Sequence, residues 1–213
     1  VCVSSRKFID QAVAYSRIEN VIITSYGDLI RVPGSTSSLM EEKASGKDIR
    51  IVYSILDALT IAEENPTKKV IFLGIGFETT APSSAAGIIN AKKRNIKNFY
   101  VYSSHKIMPP AMSALIDEGV KIDGYICPGH VSAITGTSIY KGIAENYKVG
   151  CVVSGFEPTD LLHSILLLVN QHENSDYKVE ISYKRVVKPE GNKIALEMMN
   201  DVFCLRDREA ILP

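Results

Sequence analysis

The chain has 213 residues, with 24 Lys and Arg against 24 Asp and Glu, 46% hydrophobic and 23% charged residues, 14 Gly and 9 Pro. This is the composition of a folded globular protein of one medium or two small domains, and it excludes a disordered or collagenous chain. A formal net charge of zero supplies no field to gather phosphate backbones or anionic headgroups, so neither nucleic acid nor a membrane is expected as a partner.

The predicted elements alternate along the chain. Strands are expected over 20–25, 49–54, 70–74, 98–103, 124–127, 150–153 and 179–183, from short β-branched runs. Helices are expected over 37–44, 56–64, 80–94, 111–118, 138–146, 158–171 and 194–202, from apolar residues at helical spacing. The alternation predicts an α/β fold of Rossmann-like parallel sheets flanked by helices. Near-continuous apolar runs such as Val70-Ile71-Phe72-Leu73 fit strands buried on both faces. Asn65-Pro66 punctuates the pattern and predicts a domain boundary. The expected organisation is two lobes with the first incomplete. Residues 1–65 are the remainder of a first α/β domain, and 66–175 are a second. Residues 176–213 are an extended segment and a helix returning toward the first. The start at Val1-Cys2-Val3 reads as that of a fragment. Lost strands would leave an open edge beside 20–25, through which two copies could self-associate. No stretch nears the roughly twenty apolar residues that span a bilayer. Cys2, Cys127, Cys151 and Cys204 lie far apart, which predicts a reducing compartment, the cytoplasm.

In open α/β sheets ligands bind beyond the carboxyl ends of the strands, so candidate residues are sought there. The first such segment is Gly74-Ile75-Gly76-Phe77-Glu78-Thr79-Thr80-Ala81-Pro82, where Thr79 or Thr80 suits a helix cap and Pro82 a first turn. The spacing departs from GxGxxG at Thr79, and Glu78 brings negative charge to the place a phosphate would take. His105 follows the next strand and Cys127-Pro128-Gly129-His130 the one after. The two histidines are expected to converge on one sheet edge, as metal ligands, proton carriers or hydrogen-bonding groups, with His130 near Glu78. Cys127 and His130 have a C-x-x-H spacing, but two ligands do not make a metal site, and core packing is the expected role of Cys127. Ser154-Gly155-Phe156-Glu157-Pro158 places a further carboxylate, Glu157, at a helix start, where it complements the helix dipole. No GxSxG elbow, HExxH or Walker loop is present.

Arg31-Val32-Pro33-Gly34-Ser35, Val52-Tyr53-Ser54 with Asp57-Ala58-Leu59, Gly76-Phe77-Glu78-Thr79-Thr80-Ala81-Pro82, Pro128-Gly129-His130-Val131-Ser132, Gly155-Phe156-Glu157-Pro158 and Glu190-Gly191-Asn192 form an ordered series. Together they resemble the hydrogenase maturation family HypD over residues 2–203. The resemblance implies a scaffold on which the iron centre of [NiFe] hydrogenases acquires cyanide and carbon monoxide, working with HypC and receiving cyanide from HypE. It implies assembly without turnover rather than ordinary enzyme catalysis. Family members also carry a [4Fe-4S] cluster in a third lobe. Their cysteines lie in an upstream Cys-Gly-(Thr or Gly)-His motif, associated with iron, and in a redox Cys-Pro-Val-Cys motif whose last two residues Val1-Cys2 resemble.

The resemblance carries catalytic roles to Cys2, His130 and Glu78, and cleft roles to Gly76, Phe77, Thr79, Thr80, Pro128, Gly129 and Glu157, while His105 joins the cleft candidates by its strand-end position alone. Metal ligands stay unassigned, because the family's iron and cluster cysteines are absent from this chain, and no stably bound cluster is expected. From the residues alone, a Rossmann-like metabolic enzyme binding a nucleotide or other anion at the Gly74–Thr80 turn is the alternative, and an interaction module without chemistry is a third.

Overall fold

A computed structural model describes residues 4–206. They divide into two compact units, one holding residues 4–76, 80–106 and 198–206 and the other 77–79 and 107–197.

The first unit begins with α1 (Arg6–Ser16), where the Ser5 hydroxyl oxygen accepts the Phe8 N–H at 3.3 Å. It continues through β1 (Val21–Ser25), α2 (Leu39–Ala44), β2 (Ile49–Ile51), α3 (Ile55–Glu64), β3 (Lys69–Gly76), α4 (Ala81–Lys93) and β4 (Phe99–His105). Ser38 with Glu41, and Ser54 with Asp57, close capping boxes that fix where α2 and α3 start. The strands form one parallel sheet in the order β2-β1-β3-β4. Alternation along β1 sends Ile23 into a core with Phe8, Ile9, Val13 and Leu39, and Ile22 into one with Ala62 and Val70. Both faces are thus covered, as continuous apolar strands require.

This sheet corrects the expected division. A boundary at Asn65-Pro66 would cut it, because β3 pairs with β1 in register Val21↔Lys69 to Thr24↔Phe72. The first unit is therefore a four-stranded sheet rather than a two-stranded remainder. β1 lies in its interior between β2 and β3, so the edge beside 20–25 proposed for self-association does not exist.

The second unit contains α5 (Met108–Asp117), β5 (Gly124–Pro128), α6 (Gly129–Thr135), α7 (Lys141–Tyr147), β6 (Gly150–Ser154), α8 (Pro158–Glu173) and β7 (Val179–Ile181). Its strands form a parallel sheet in the order β5-β6-β7. Met112, Cys127, Tyr140, Ile143, Cys151 and Val153 fill its core. The extended segment expected after residue 176 pairs for only three residues and then turns, with the Val187 N–H donating to the Tyr183 carbonyl at 3.0 Å. The last helix among the described residues, α9 (Lys193–Val202), begins in the second unit and ends in the first, and the Asn192 side chain accepts the Ala195 N–H at 3.1 Å. Among the described residues no helix is long and apolar enough to cross a membrane.

Candidate functional site

At the carboxyl edge of the first sheet, β3 and β4 end in register at Gly76↔His105. Gly76 has φ 115°, and a Cβ there would collide with Thr80 Oγ1. The Thr80 hydroxyl donates to the Ile75 carbonyl at 2.9 Å instead of capping α4, whose first turn is set by Pro82. Thr79 is exposed, and Phe77 is half-buried. The glycine of this turn thus accommodates Thr80.

His105 turns inward. Its Nε2 lies 2.9 Å from the Ser84 hydroxyl, its ring meets Phe203 edge-on with centroids 5.6 Å apart, and burial pushes its pKa down. A neutral imidazole wedged against two side chains packs this edge.

Glu78, at 6% exposure, belongs to the second unit. Its Oε1 accepts the Met108 N–H at 2.8 Å. Pro109 and Pro110 carry no N–H and Ile107 supplies no side-chain cap, so this carboxyl group caps α5 from 30 residues upstream. Burial pushes its pKa up, and Oε2 has no hydrogen-bond partner. No hydrogen bond or ion pair among the described residues joins Glu78 to His130.

At the carboxyl edge of the second sheet, Pro128 of β5 stands opposite Ser154 of β6, so the turns carrying His130 and Phe156 leave the sheet side by side. The Pro128 carbonyl accepts the Ser132 hydroxyl at 2.9 Å, and Gly129 is buried. His130, in the first turn of α6, is exposed, and its ring lies 4.4 Å from that of Phe156, itself 59% exposed. The expected convergence of the histidines is corrected, since His105 and His130 belong to different sheets. Glu157 is the exposed N-cap of α8 and closes a capping box with Asp160, whose Oδ2 accepts the Glu157 N–H at 3.3 Å. The sequence reading missed Asp160, Tyr183 and Arg185. The available signals were an acid in the first turn after Pro158 and Tyr-x-Arg at the end of an alternating run.

Cys127 and Cys151 are buried neighbours whose thiols face the carbonyls of Tyr125 and Val149 at 3.8 and 3.7 Å. The adjacent Cys151 sulfur, and then burial, push the Cys127 thiol up. Two buried core thiols do not fit a four-thiolate cluster, and no group of three His, Cys, Asp or Glu among the described residues could hold a metal ion. Cys2 lies outside the described residues.

The HypD family model, described as the hydrogenase formation hypA family, matches residues 1–210. The hydrogenase maturation factor HypD of Escherichia coli K12 is 44% identical over 206 residues, covering 96% of this chain and 55% of that protein. HypD of Rhodobacter capsulatus is 45% identical over 204 residues, covering 95% and 54%. A Methanocaldococcus jannaschii protein named for hydrogenase expression and formation is 47% identical over 203 residues, covering 95% and 56%. The chain spans little more than half the length of each of these relatives.

Proposed function

The chain belongs to the HypD family, and from that premise we propose that it serves hydrogenase maturation as a scaffold. Its cargo is iron carrying cyanide and carbon monoxide, HypC is its docking partner, and HypE is the cyanide donor. The observation that supports this reading is the carboxyl edge of the second sheet. There the Pro128-Gly129-His130 and Gly155-Phe156-Glu157 segments, which carry the family resemblance, lie side by side with an exposed imidazole and an exposed aromatic ring.

An imidazole on a rigid strand-end turn can hold or pass a proton beside a bound group, and the Phe156 ring beside it excludes water from one side. Glu78 keeps α5 in place through the Met108 N–H. In this reading Cys2 supplies the redox thiol. The work is binding and orientation rather than turnover, and it takes place in the cytoplasm.

The test is a chimera in which this chain replaces the matching segment of the Escherichia coli factor, in a strain lacking that factor. Hydrogenase activity should return, and His130→Ala should lower it by about tenfold or more. Full activity with His130→Ala would refute the assignment. Failure of the unsubstituted chimera to restore any activity, although folded, would refute the scaffold reading.

A further inference from the structure

One aromatic ring ties the two turns of this edge together. β7 ends at Ile181, opposite Val153, and two residues later Tyr183 lies against both turns. A Cβ on Gly129 would lie 2.7 Å from Tyr183 Cδ1 and would collide with the Ser154 carbonyl, while a Cβ on Gly155 would lie 2.6 Å from Tyr183 Cδ2 and would collide with Asp160 Oδ2. Opposite edges of the same ring therefore lie against two glycines, one in the His130 turn and one in the Phe156 turn. The Tyr183 and Phe156 rings meet edge-on at 6.3 Å, and Phe156 meets His130 at 4.4 Å.

The ring is itself held. The Arg185 guanidinium stands 4.5 Å above its centroid, a cation–π contact. Both terminal nitrogens of Arg185 donate to Asp160, at 2.6 and 2.5 Å, in the bidentate geometry that fixes a planar guanidinium. Asp160 is 6% exposed, Arg185 holds its carboxyl below the usual range, and its Oδ2 also accepts the Glu157 N–H. Asp160 thus couples the start of α8 to the ring that spans both turns.

We propose that Tyr183, clamped by the Arg185–Asp160 pair, is the positioning residue that fixes His130 against Phe156. It acts through the two glycine turns and touches no cargo. This deepens the assignment of His130 to the functional edge and rests on that reading for its consequence in maturation. The ring carries the role, so phenylalanine should replace tyrosine and alanine should not.

The proposal is tested on the chain itself by the NMR signals of the His130 ring protons, which the adjacent Phe156 ring displaces from free-histidine positions. Tyr183→Ala should cost half or more of that displacement, Arg185→Met should cost a smaller part, and Tyr183→Phe should retain it. Circular dichroism on the same samples reports folding. Should Tyr183→Ala fail to fold, Tyr183→Leu and Arg185→Met carry the same reading. An undisplaced His130 signal in the wild type, or an unchanged displacement in a folded Tyr183→Ala or Tyr183→Leu variant, would overturn the proposal. In the chimera, Tyr183→Ala should lower maturation by about tenfold and Tyr183→Phe should restore it. If His130→Ala matures normally while the NMR coupling persists, the functional reading fails and the positioning role stands. If His130→Ala abolishes maturation while Tyr183→Ala leaves the signal in place, the positioning role alone fails.

Discussion

Each sheet offers a histidine at its carboxyl edge. In the first, His105 is the last residue of β4, paired with Gly76, and strand alternation aims its side chain at Ser84 of α4. In the second, the strand stops at Pro128, and His130 sits in the first turn of α6 with its ring on Phe156 in solvent. A shift of two residues past the strand end separates a packing residue from an available one. Topology nominates a strand-end residue, and the register of its last pair decides whether the side chain is spent on the fold.

The largest effects should show that both edges depend on their glycines. Gly76→Ala forces an ordinary residue to φ 115° against Thr80, and Gly129→Ala drives a methyl group into the Ser154 carbonyl. Each should cost at least about 2 kcal/mol in urea unfolding. A neutral outcome at either would mean that its turn relaxes freely.

The histidines should then separate. His105→Ala removes a half-buried ring and its partner for Ser84 and should cost about 1–3 kcal/mol, whereas His130→Ala should stay within about 0.5 kcal/mol in the same assay. Equal losses would erase the distinction between the edges.

A pH series sharpens the contrast, because the buried groups of the two units titrate with opposite signs. Burial lowers His105 below its ordinary 6.5, so the unfolded chain binds the extra proton. Its contribution is full above pH 6.5 and declines as pH falls, and His105→Gln should remove that slope. Burial raises Glu78 above 4.5, so its contribution is full below pH 4.5 and is lost as pH rises through the raised value. Glu78→Gln retains an oxygen for the Met108 N–H and should gain on the wild type as pH rises toward neutrality. Unfolding curves that keep the wild-type slope in either variant would contradict the assignment.

The smallest effect lies away from both edges. The Arg17 guanidinium lowers Glu42 from 4.5 to about 2, so the stability of this pair is full above pH 4.5 and fades as pH falls toward 2. Glu42→Gln should weaken the first unit near pH 6 and lose its effect near pH 2, as followed by thermal unfolding.

Much of the fold was legible because its signals are local. All seven strands among the described residues were expected within a few residues of their ends, since β-branched runs and short connections are properties of neighbouring positions. Two helices were passed over. α1 buries Phe8, Ile9, Ala12 and Val13 at helical spacing behind a Ser5 cap, a legible pattern in a stretch rich in polar residues. α6, seven residues long behind Pro128-Gly129, gives no such period. Among the candidate residues, the strand-end segments were found, but their division of labour was not.

The amino-acid sequence by itself determined the alternation of strands and helices, the parallel sheets, the turn glycines and, through its ordered motifs, the family. Helical and strand periods, caps and turn chemistry act over a few residues and can be read without a fold. Only the tertiary structure decided that β3 and β4 complete the first sheet, that Glu78 caps α5 across 30 residues, and that Arg185 reaches Asp160 across 25. Strand order and the partner of a buried charge are chosen when distant segments compete to cover apolar faces and satisfy desolvated groups, a choice made by the folded chain as a whole.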